Sequence, residues 1–229
     1  MPRYAAPGLP QHVIQRGTNR SVLFVADPDY YFFRDCLRVA CERHDCQLHA
    51  YVLMTNHVHL LMTPMTGSGI GDVMQSVCRR YVRRFNDTYQ RTGTLCQGRY
   101  KATVVDTEQY LCACYRYVEL NPVRAGIVAA PHEYRWSSYA ANALGTTDPL
   151  VIPHERYDAL GRDGRTRQAA YRALFGEALS DSTLADIRHA TNTGWALGSK
   201  RFRDEVAVLL ARRTEPAAKG RQRVIRNAV

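Results

Sequence analysis

The sequence predicts an α+β fold in which helices pack on a ferredoxin-like antiparallel sheet. Three observations support this. Segments of strand and helix character follow one another in the order strand, helix, strand, strand, helix, strand, helix. The two central strands are separated only by the polar pair Thr55-Asn56, which favours an antiparallel hairpin. The helical segments carry apolar residues at helical spacing. Together these features are typical of a split βαβ arrangement.

The first strand and helix are defined by alternation and by helix-start residues. Gln11–Gly17 alternates and is β-branched, which predicts a strand, and Val22–Ala26 reads as a second short extended piece. Asp27 as N-cap and Pro28 at the first position predict a helix that runs to about His44. The side chains expected toward the core are Tyr31, Phe32, Cys36 and Val39.

The central hairpin comes next, with a second helix behind it. Gln47–Met54 and His57–Pro64 are the predicted hairpin strands. A helix with one apolar stripe is expected after the Gly-Ser-Gly break at 67–69. Its stripe residues are Ile70, Val73, Val77, Tyr81 and Phe85.

A fourth strand and a third helix complete the predicted core. Gly98–Val105 reads as a strand, and Asp106 or Thr107 is expected to cap the helix that follows. That helix should end near Pro122, because residues before proline resist helical geometry.

Composition changes after about Leu144, which predicts a division of the chain. Residues 1–145 would form the main domain and residues 146–215 a small helical C-terminal module. A basic tail, residues 216–229, is expected to be disordered.

Charge and composition limit the class of partner. The 229 residues carry a formal net charge of +10, which favours a polyanion such as nucleic acid. No apolar run of about 18 residues occurs, so no membrane partner is expected. The N-terminal residues lack the apolar stretch of a signal peptide, and we expect a cytoplasmic, nucleoid-associated protein. The seven cysteines form no CxxC pair and are expected to be free thiols, with zinc binding the less favoured alternative.

Two histidines stand one residue apart in the strand "HVHLLMTP". Because strand side chains alternate between faces, His57 and His59 lie on the same face, about 7 Å apart along the strand. Two neutral imidazoles in this arrangement can hold one divalent metal ion. The alternative is that both rings are satisfied by hydrogen bonds on a partly exposed face.

A tyrosine and an asparagine on the third helix could supply the reactive group and the third ligand that a histidine pair lacks. Tyr117 and Asn121 are four residues apart and share a helix face. An Asn carbonyl is a hard oxygen ligand that suits Mg²⁺ or Mn²⁺, and a phenol beside a metal can attack a phosphate. Alternatively, Tyr117 is a core aromatic residue and Asn121 ends the helix. The combination with the histidine pair is far more specific than either motif alone.

These motifs resemble a known family. "TNHVHLLM" and "RYVELNPVRAGIV", with "HVIQRGTNR", "QGRYKA" and "YRWSSYAA", resemble the HUH single-tyrosine transposases, in particular the subgroup called REP-associated tyrosine transposases, which act at repetitive extragenic palindromes. The resemblance covers about 10–141 and implies the HUH nuclease fold.

The resemblance also implies an activity and a set of site residues. His57, His59 and Asn121 would bind Mg²⁺ or Mn²⁺, and Tyr117 would be the nucleophile. Such proteins cleave single-stranded DNA near a hairpin through a 5′-phosphotyrosine and can religate it, as monomers or as homodimers.

Basic residues at two places are candidate DNA contacts. The first set is Arg79, Arg80, Arg83 and Arg84, which form a ridge on the second helix unless they are simply a solvated face. The second set is Arg16, Asn19, Arg99 and Lys101, which are expected near the metal, with His12 on the same sheet face.

Two rival functions stay open from sequence alone. A non-catalytic DNA hairpin-binding regulator would keep the fold, although binding does not need the nucleophile Tyr117. A phosphoesterase acting on small cyclic phosphates would need a second HxT or HxS strand motif, which the sequence lacks. No side chain identifies itself as the base that deprotonates Tyr117.

Overall fold

Four antiparallel strands form the centre of the fold in this computed structural model, which describes residues 4–211, 213 and 214. The basic tail predicted at 216–229 therefore lies outside the described residues. The strands are β1 (Gln11–Arg16), β2 (Cys46–Met54), β3 (His57–Pro64) and β4 (Lys101–Val104). They pair in the order β2-β3-β1-β4, each neighbouring pair antiparallel. This confirms the predicted ferredoxin-like α+β fold.

Helices cover both faces of the sheet. On one face α1 (Asp27–Arg43) and α2 (Gly69–Tyr89) pack on strand residues that include Leu60 and Met62. On the other face α3 (Leu111–Glu119) packs on residues that include Leu61. The remaining helices are α4 (Asn121–Arg124), α5 (Tyr139–Leu144), α6 (Glu155–Asp158), α7 (Gly164–Ala173), α8 (Asp181–Thr193) and α9 (Lys200–Leu209), with short 3-10 turns at Thr18–Arg20 and Pro131–Glu133. In the described part of the chain, none of these helices has the length and apolar character to cross a membrane.

The hairpin and the second helix form as predicted. β2 and β3 pair around the turn at Thr55 and Asn56. The five predicted stripe residues of α2 are all buried, because they face the sheet: Ile70, Val73, Val77, Tyr81 and Phe85. The prediction that Asp106 or Thr107 caps α3 is wrong, because the N-cap is Tyr110. Asp106 instead accepts hydrogen bonds from the backbone of Glu108 (3.0 Å) and Gln109 (3.4 Å) in the turn before the helix.

The short extended piece predicted at Val22–Ala26 forms no strand. Both Leu23 and Phe24 are buried, so the side chains do not alternate as in a half-buried strand. Their backbone N–H groups donate to the same carbonyl, that of Thr55, at 2.7 and 3.2 Å. The segment is therefore a loop tied to the hairpin turn.

The start and the register of α1 also differ from the prediction. Its N-cap is Ala26 rather than Asp27, and the Asp29 carboxylate accepts from the backbone of Val25 (2.8 Å) and Ala26 (3.1 Å). Tyr31 is 55 % exposed, so its expected position in the core is wrong. Of the other expected core residues Cys36 is buried, whereas Phe32 and Val39 are half-buried. The helix buries instead Tyr30, Phe33, Leu37 and Ala40.

The segment after residue 145 is helical as predicted and packs on the core through α3. Tyr115 contacts Tyr157 and Tyr171, with ring centroids 6.2 and 5.8 Å away. These residues belong to one hydrophobic cluster that also contains Ala50 and Val52 of the sheet. A division into domains at residue 145 stays a prediction.

Backbone from the second half of the chain lies along both outer strands. On β2, the N–H of Leu53 donates to Trp136 (2.9 Å), and the carbonyl of Leu48 accepts from Ile152 (2.8 Å). On β4, the carbonyl of Val104 accepts from Leu197 (2.8 Å). The ladder groups at these positions are therefore already paired.

The seven cysteines are free thiols, as predicted. Among the described residues, no group of three or more His, Cys, Asp or Glu side chains is placed to hold a metal ion. The alternative of a structural zinc site is therefore not supported there.

A buried carboxyl group links α3 to the helices behind it. Glu119 is fully buried and accepts hydrogen bonds from Ser138 (2.6 Å), Asn142 (2.9 Å) and Tyr171 (2.7 Å). Burial raises the pKa of Glu119 to about 7, although the three donors oppose this shift.

Replacing Glu119 by Gln should remove a pH-dependent part of the stability. Between its ordinary pKa of 4.5 and about 7, this carboxyl ionises in the unfolded chain but keeps its proton in the folded protein, so folding is disfavoured as the pH rises. We expect the wild type to lose about 3 kcal/mol of unfolding free energy relative to Glu119→Gln across this interval. Urea unfolding at several pH values measures it, and parallel pH profiles would contradict it.

Candidate active site

The histidine pair of β3 lies on the sheet face covered by α3. The ring centroids of His57 and His59 are 5.0 Å apart. Tyr117 of α3 lies beside them, with its ring centroid 5.9 Å from that of His59. A third imidazole, His12 of β1, stacks on His59 at 5.1 Å and is 5.6 Å from Tyr117. The structure therefore brings the predicted histidines and the predicted tyrosine together.

One nitrogen of His57 is fixed by its neighbour in the turn. The Nδ1 atom of His57 is 2.7 Å from Oδ1 of Asn56. The amide nitrogen of Asn56 donates to the carbonyl of Arg20 at 3.3 Å, which leaves Oδ1 as the acceptor. This network assigns the proton to Nδ1 of His57 and the lone pair to Nε2.

His59 is bonded through the same ring atom. Its Nδ1 is 2.8 Å from Nε2 of His12. Within the described part of the chain, no hydrogen-bond partner contacts Nε2 of His57 or of His59. Ligating histidines in metal sites commonly bond a protein group through one ring nitrogen and the metal through the other.

Burial keeps these imidazoles neutral. Desolvation, with a smaller contribution from Arg16, lowers the pKa of His57 to about 4. Burial also lowers the pKa of His12 to about 3 and holds that of His59 well below its usual range. Neutral imidazole is the form that binds metal ions. At neutral pH both rings of the histidine pair are therefore in the neutral form that can bind a metal ion.

Tyr117 is buried, and a cation lies on its ring. The guanidinium of Arg124 is 4.3 Å from the ring centroid and donates to the backbone carbonyl of Tyr117. Burial lowers the pKa of Arg124 to about 10, so the group remains charged at neutral pH. Its Nη1 atom is buried without a partner among the described residues.

Arg124 is a candidate functional residue that the sequence reasoning missed. It stands seven positions after Tyr117, about two helical turns, inside the motif "NPVRAG". This spacing could have indicated that Arg124 lies on the same helix face as Tyr117. Tyr115, by contrast, faces away from the histidines into the cluster with Tyr157 and Tyr171, as its position two residues from Tyr117 predicts.

Asn121 closes the end of the tyrosine helix. Its amide nitrogen donates to the carbonyls of Tyr117 (2.9 Å) and Val118 (3.2 Å). These bonds fix the side chain and leave Oδ1 as the ligand atom it would offer. No hydrogen bond joins Asn121 to the histidines among the described residues, and its role as a metal ligand stays a prediction.

A polar groove of about 560 Å³ lies at the same side of the sheet. Arg16 pairs with His57 across the strands, and Lys101 pairs with Ile14, so both belong to the histidine face. The groove contains the predicted Arg16, Asn19, Arg99 and Lys101, together with Arg20, Gln97 and Asn192, which the sequence analysis did not single out. Lys101 lies 3.4 Å from the side-chain oxygen of Asn192, so the C-terminal helices help to form the groove.

The arginines of α2 lie elsewhere. Because α2 covers the face opposite the histidines, the predicted set is not brought to the pair: Arg79, Arg80, Arg83 and Arg84. Arg80 forms an exposed ion pair with Asp35 (3.8 Å), and the guanidinium of Arg84 lies 4.5 Å from the ring centroid of Phe32. Two basic surfaces thus occupy opposite sides of the sheet.

The sequence of this region matches a known protein family. Residues 6–121 match the family described as "Transposase IS200 like". The chain belongs to the IS200-like transposase family. The matched residues include His12, both histidines of β3, Tyr117 and Asn121. The match ends before Arg124 and before the C-terminal helices of this transposase.

Two solved structures resemble the transposase. One is a REP-associated tyrosine transposase bound to a REP hairpin, with a TM-score of 0.52 and 18% identity over 67% of this chain and 91% of that chain. The other is a putative transposase from Deinococcus radiodurans R1, with a TM-score of 0.37 and 23% identity over 48% of this chain and 88% of that one. No curated protein matches the chain significantly. The first likeness shows a shared fold.

The donor set fits a divalent cation. The Nε2 atoms of His57 and His59 are two nitrogen ligands on one face, and imidazole is a common ligand for divalent metals. His12 bonds to Nδ1 of His59, and among the described residues no third His, Cys, Asp or Glu is placed to ligate a metal ion with the pair. Other positions would therefore fall to an amide oxygen, water or a DNA phosphate.

The ring of His57 should stay neutral well below neutral pH in the metal-free transposase. Its lowered pKa of about 4 predicts protonation only near that pH, and folded stability should fall as the pH drops from the ordinary value of 6.5 toward it. An NMR titration of the ring resonances measures the midpoint, with urea-unfolded protein as the reference. The same midpoint in both states would contradict the burial argument.

Proposed function

We propose that this transposase is a metal-dependent endonuclease and strand transferase that cleaves single-stranded DNA beside a hairpin through a phosphotyrosine at Tyr117. The observation that carries the proposal is the meeting of Tyr117 with two imidazoles whose Nε2 atoms have no described partner. A protein that only binds DNA has no need of this arrangement. Among the subgroups, we assign it to the REP-associated transposases.

His57, His59 and Oδ1 of Asn121 would hold the cation, Mg²⁺ or Mn²⁺. When bound, such an ion polarises the scissile phosphate and favours charge build-up on its oxygens. The protein contributes neutral, oriented ligands, since Asn56 and His12 hold the two rings through Nδ1. This second layer of hydrogen bonds fixes the direction in which both lone pairs point.

Tyr117 would supply the nucleophile. Its phenolic oxygen loses a proton and forms a bond to phosphorus, while the bond from phosphorus to the 3′ oxygen breaks and that oxygen gains a proton. The upstream strand leaves with a 3′-hydroxyl, and the downstream strand stays on the tyrosine through its 5′-phosphate. Attack by a 3′-hydroxyl reverses the step and needs no ATP. The positive charge of Arg124 over the ring favours negative charge on the phenol during attack, and its unpaired Nη1 can donate to a phosphate oxygen.

The polar groove supports a single-stranded substrate. Arg16, Arg99 and Lys101 offer positive charge beside the histidine pair, and Asn19 and Gln97 offer hydrogen-bonding groups. The solved relative bound to a REP hairpin supports hairpin DNA as the partner. Because Tyr117 meets the histidines of its own chain, a homodimer is not required for these side chains to act together.

Tyr117→Phe should abolish a covalent protein–DNA adduct, because phenylalanine lacks the attacking oxygen. The measurement is a denaturing gel after incubation with labelled hairpin DNA carrying a single-stranded flank and Mn²⁺. EDTA should also abolish the adduct.

Tyr115→Phe is the matched control and should keep the adduct. Its ring is buried on the far side of the helix, against Tyr157 and Tyr171. An adduct that persists in Tyr117→Phe and disappears in Tyr115→Phe would reverse the assignment. Hairpin binding without any wild-type adduct would favour the non-catalytic regulator.

Lys101→Gln should weaken binding of the single-stranded flank and reduce its salt dependence. Loss of one phosphate contact lowers the slope of log K against log salt by about 0.7 for a single strand. Filter binding at several salt concentrations measures the slope, with Arg162→Gln as an exposed control far from the groove residues. An equal effect of Arg83→Gln would show that DNA also contacts α2.

A further inference from the structure

A chain of hydrogen bonds connects His59 to the C-terminal helix α8. His59 Nδ1 is 2.8 Å from His12 Nε2, and His12 Nδ1 is 3.1 Å from the hydroxyl of Thr191. The same hydroxyl is 2.7 Å from the backbone carbonyl of Ile187, one turn earlier in α8. Thr191 lies seventy residues beyond the part of the chain that matches the transposase family, which ends at 121.

The carbonyl of Ile187, at the end of this hydrogen-bond series, determines which atom donates in each of the other bonds. A hydroxyl has one proton, and a carbonyl can only accept, so Thr191 donates to Ile187 and accepts from Nδ1–H of His12. His12 is fully buried, and no carboxylate among the described residues bonds to it, so it is neutral and its Nε2 accepts. The proton between the two rings therefore belongs to Nδ1 of His59, and the lone pair of His59 lies on Nε2.

We propose that Thr191 and His12 are positioning residues that hold His59 in the Nδ1–H tautomer, so that its Nε2 is available to the cation. This rests on the metal site proposed above. If Thr191 instead donated its proton to Nδ1 of His12, then His12 would carry its proton on Nε2 and donate to Nδ1 of His59. Nε2 of His59 would then carry hydrogen and could not ligate. The carbonyl of Ile187 prevents this because it already accepts the hydroxyl proton of Thr191.

Other contacts keep α8 in place, so the hydroxyl of Thr191 is not needed for docking. Thr103 of β4, which pairs with His12 in the sheet, donates to the carbonyl of Ala190 at 2.7 Å. Ile187 and Ala190 are buried in the cluster shared with α3. A substitution that removes only the hydroxyl of Thr191 therefore tests the proton chain rather than the fold.

The first test reads the tautomer directly in metal-free wild-type protein. Two-dimensional ¹⁵N NMR of the imidazoles distinguishes Nδ1–H from Nε2–H, and the His59 signal is assigned by its loss in His59→Gln. We expect Nδ1–H for His59 and for His12. An Nε2–H tautomer of His59 would overturn the proposal without any variant being needed.

The second test measures Mn²⁺ affinity by electron paramagnetic resonance. Thr191→Val should weaken binding about 10-fold and mix the His59 tautomers, because loss of a partner of a ligating residue costs affinity of this order. Thr191→Ser should restore both. Thr193→Val is the matched control, since that hydroxyl also donates one turn back, to His189 at 2.7 Å, but does not touch His12.

The outcomes separate the two proposals. Wild-type affinity and a wild-type tautomer in Thr191→Val would overturn the positioning role while the metal site stands. A wild type that binds no Mn²⁺ would overturn the metal site itself. A loss of affinity that Thr193→Val shares would mean a general effect on α8 and would also overturn the proposal. Thermal unfolding of each variant shows that the folded protein is being compared.

Discussion

The site depends on two imidazoles that are buried, neutral and held through the same ring atom. Strand alternation places His57 and His59 on one face, but alternation alone does not decide which nitrogen carries the proton. Asn56 makes that decision for one ring and His12 for the other. Burial excludes the protonated form over the neutral pH range. Without this constraint, each ring would exchange between its two tautomers, and neither Nε2 lone pair would be fixed in the form that the proposed metal site needs.

A second polar centre holds the tyrosine helix against the rest of the protein. Glu119 lies two residues after Tyr117 and therefore faces away from the histidines, toward Tyr171 and Ser138. Its three donors come from segments on both sides of residue 145. The position of Tyr117 is thus coupled to the C-terminal helices, which also share one hydrophobic cluster with α3.

Sequence periodicity was sufficient for α2, which buries one regular stripe. The hairpin was predicted from two apolar runs on either side of a short polar turn, and its strands are buried on both faces. Periodicity does not describe Val22–Ala26, where two consecutive side chains are buried and the backbone turns onto Thr55. It also misplaced the inward face of α1 at Tyr31, because Tyr30, Tyr31, Phe32 and Phe33 are four consecutive aromatic residues and hydrophobicity alone does not show which of them face the sheet. Motif spacing brought together His57, His59 and Tyr117, and the seven-residue spacing from Tyr117 offered a signal for Arg124, whereas Thr191 depends on a tertiary contact. A threonine seventy residues beyond the matched family region gives no local signal of a contact with His12.

The covered outer strands limit how two copies of this protein can associate. Leu48 and Leu53 on one side and Val104 on the other already bond to backbone from the second half of the same chain. Unpaired strand edges invite a neighbouring molecule to extend the sheet. Here backbone of the same chain already occupies these positions, so a second copy cannot extend the sheet through them.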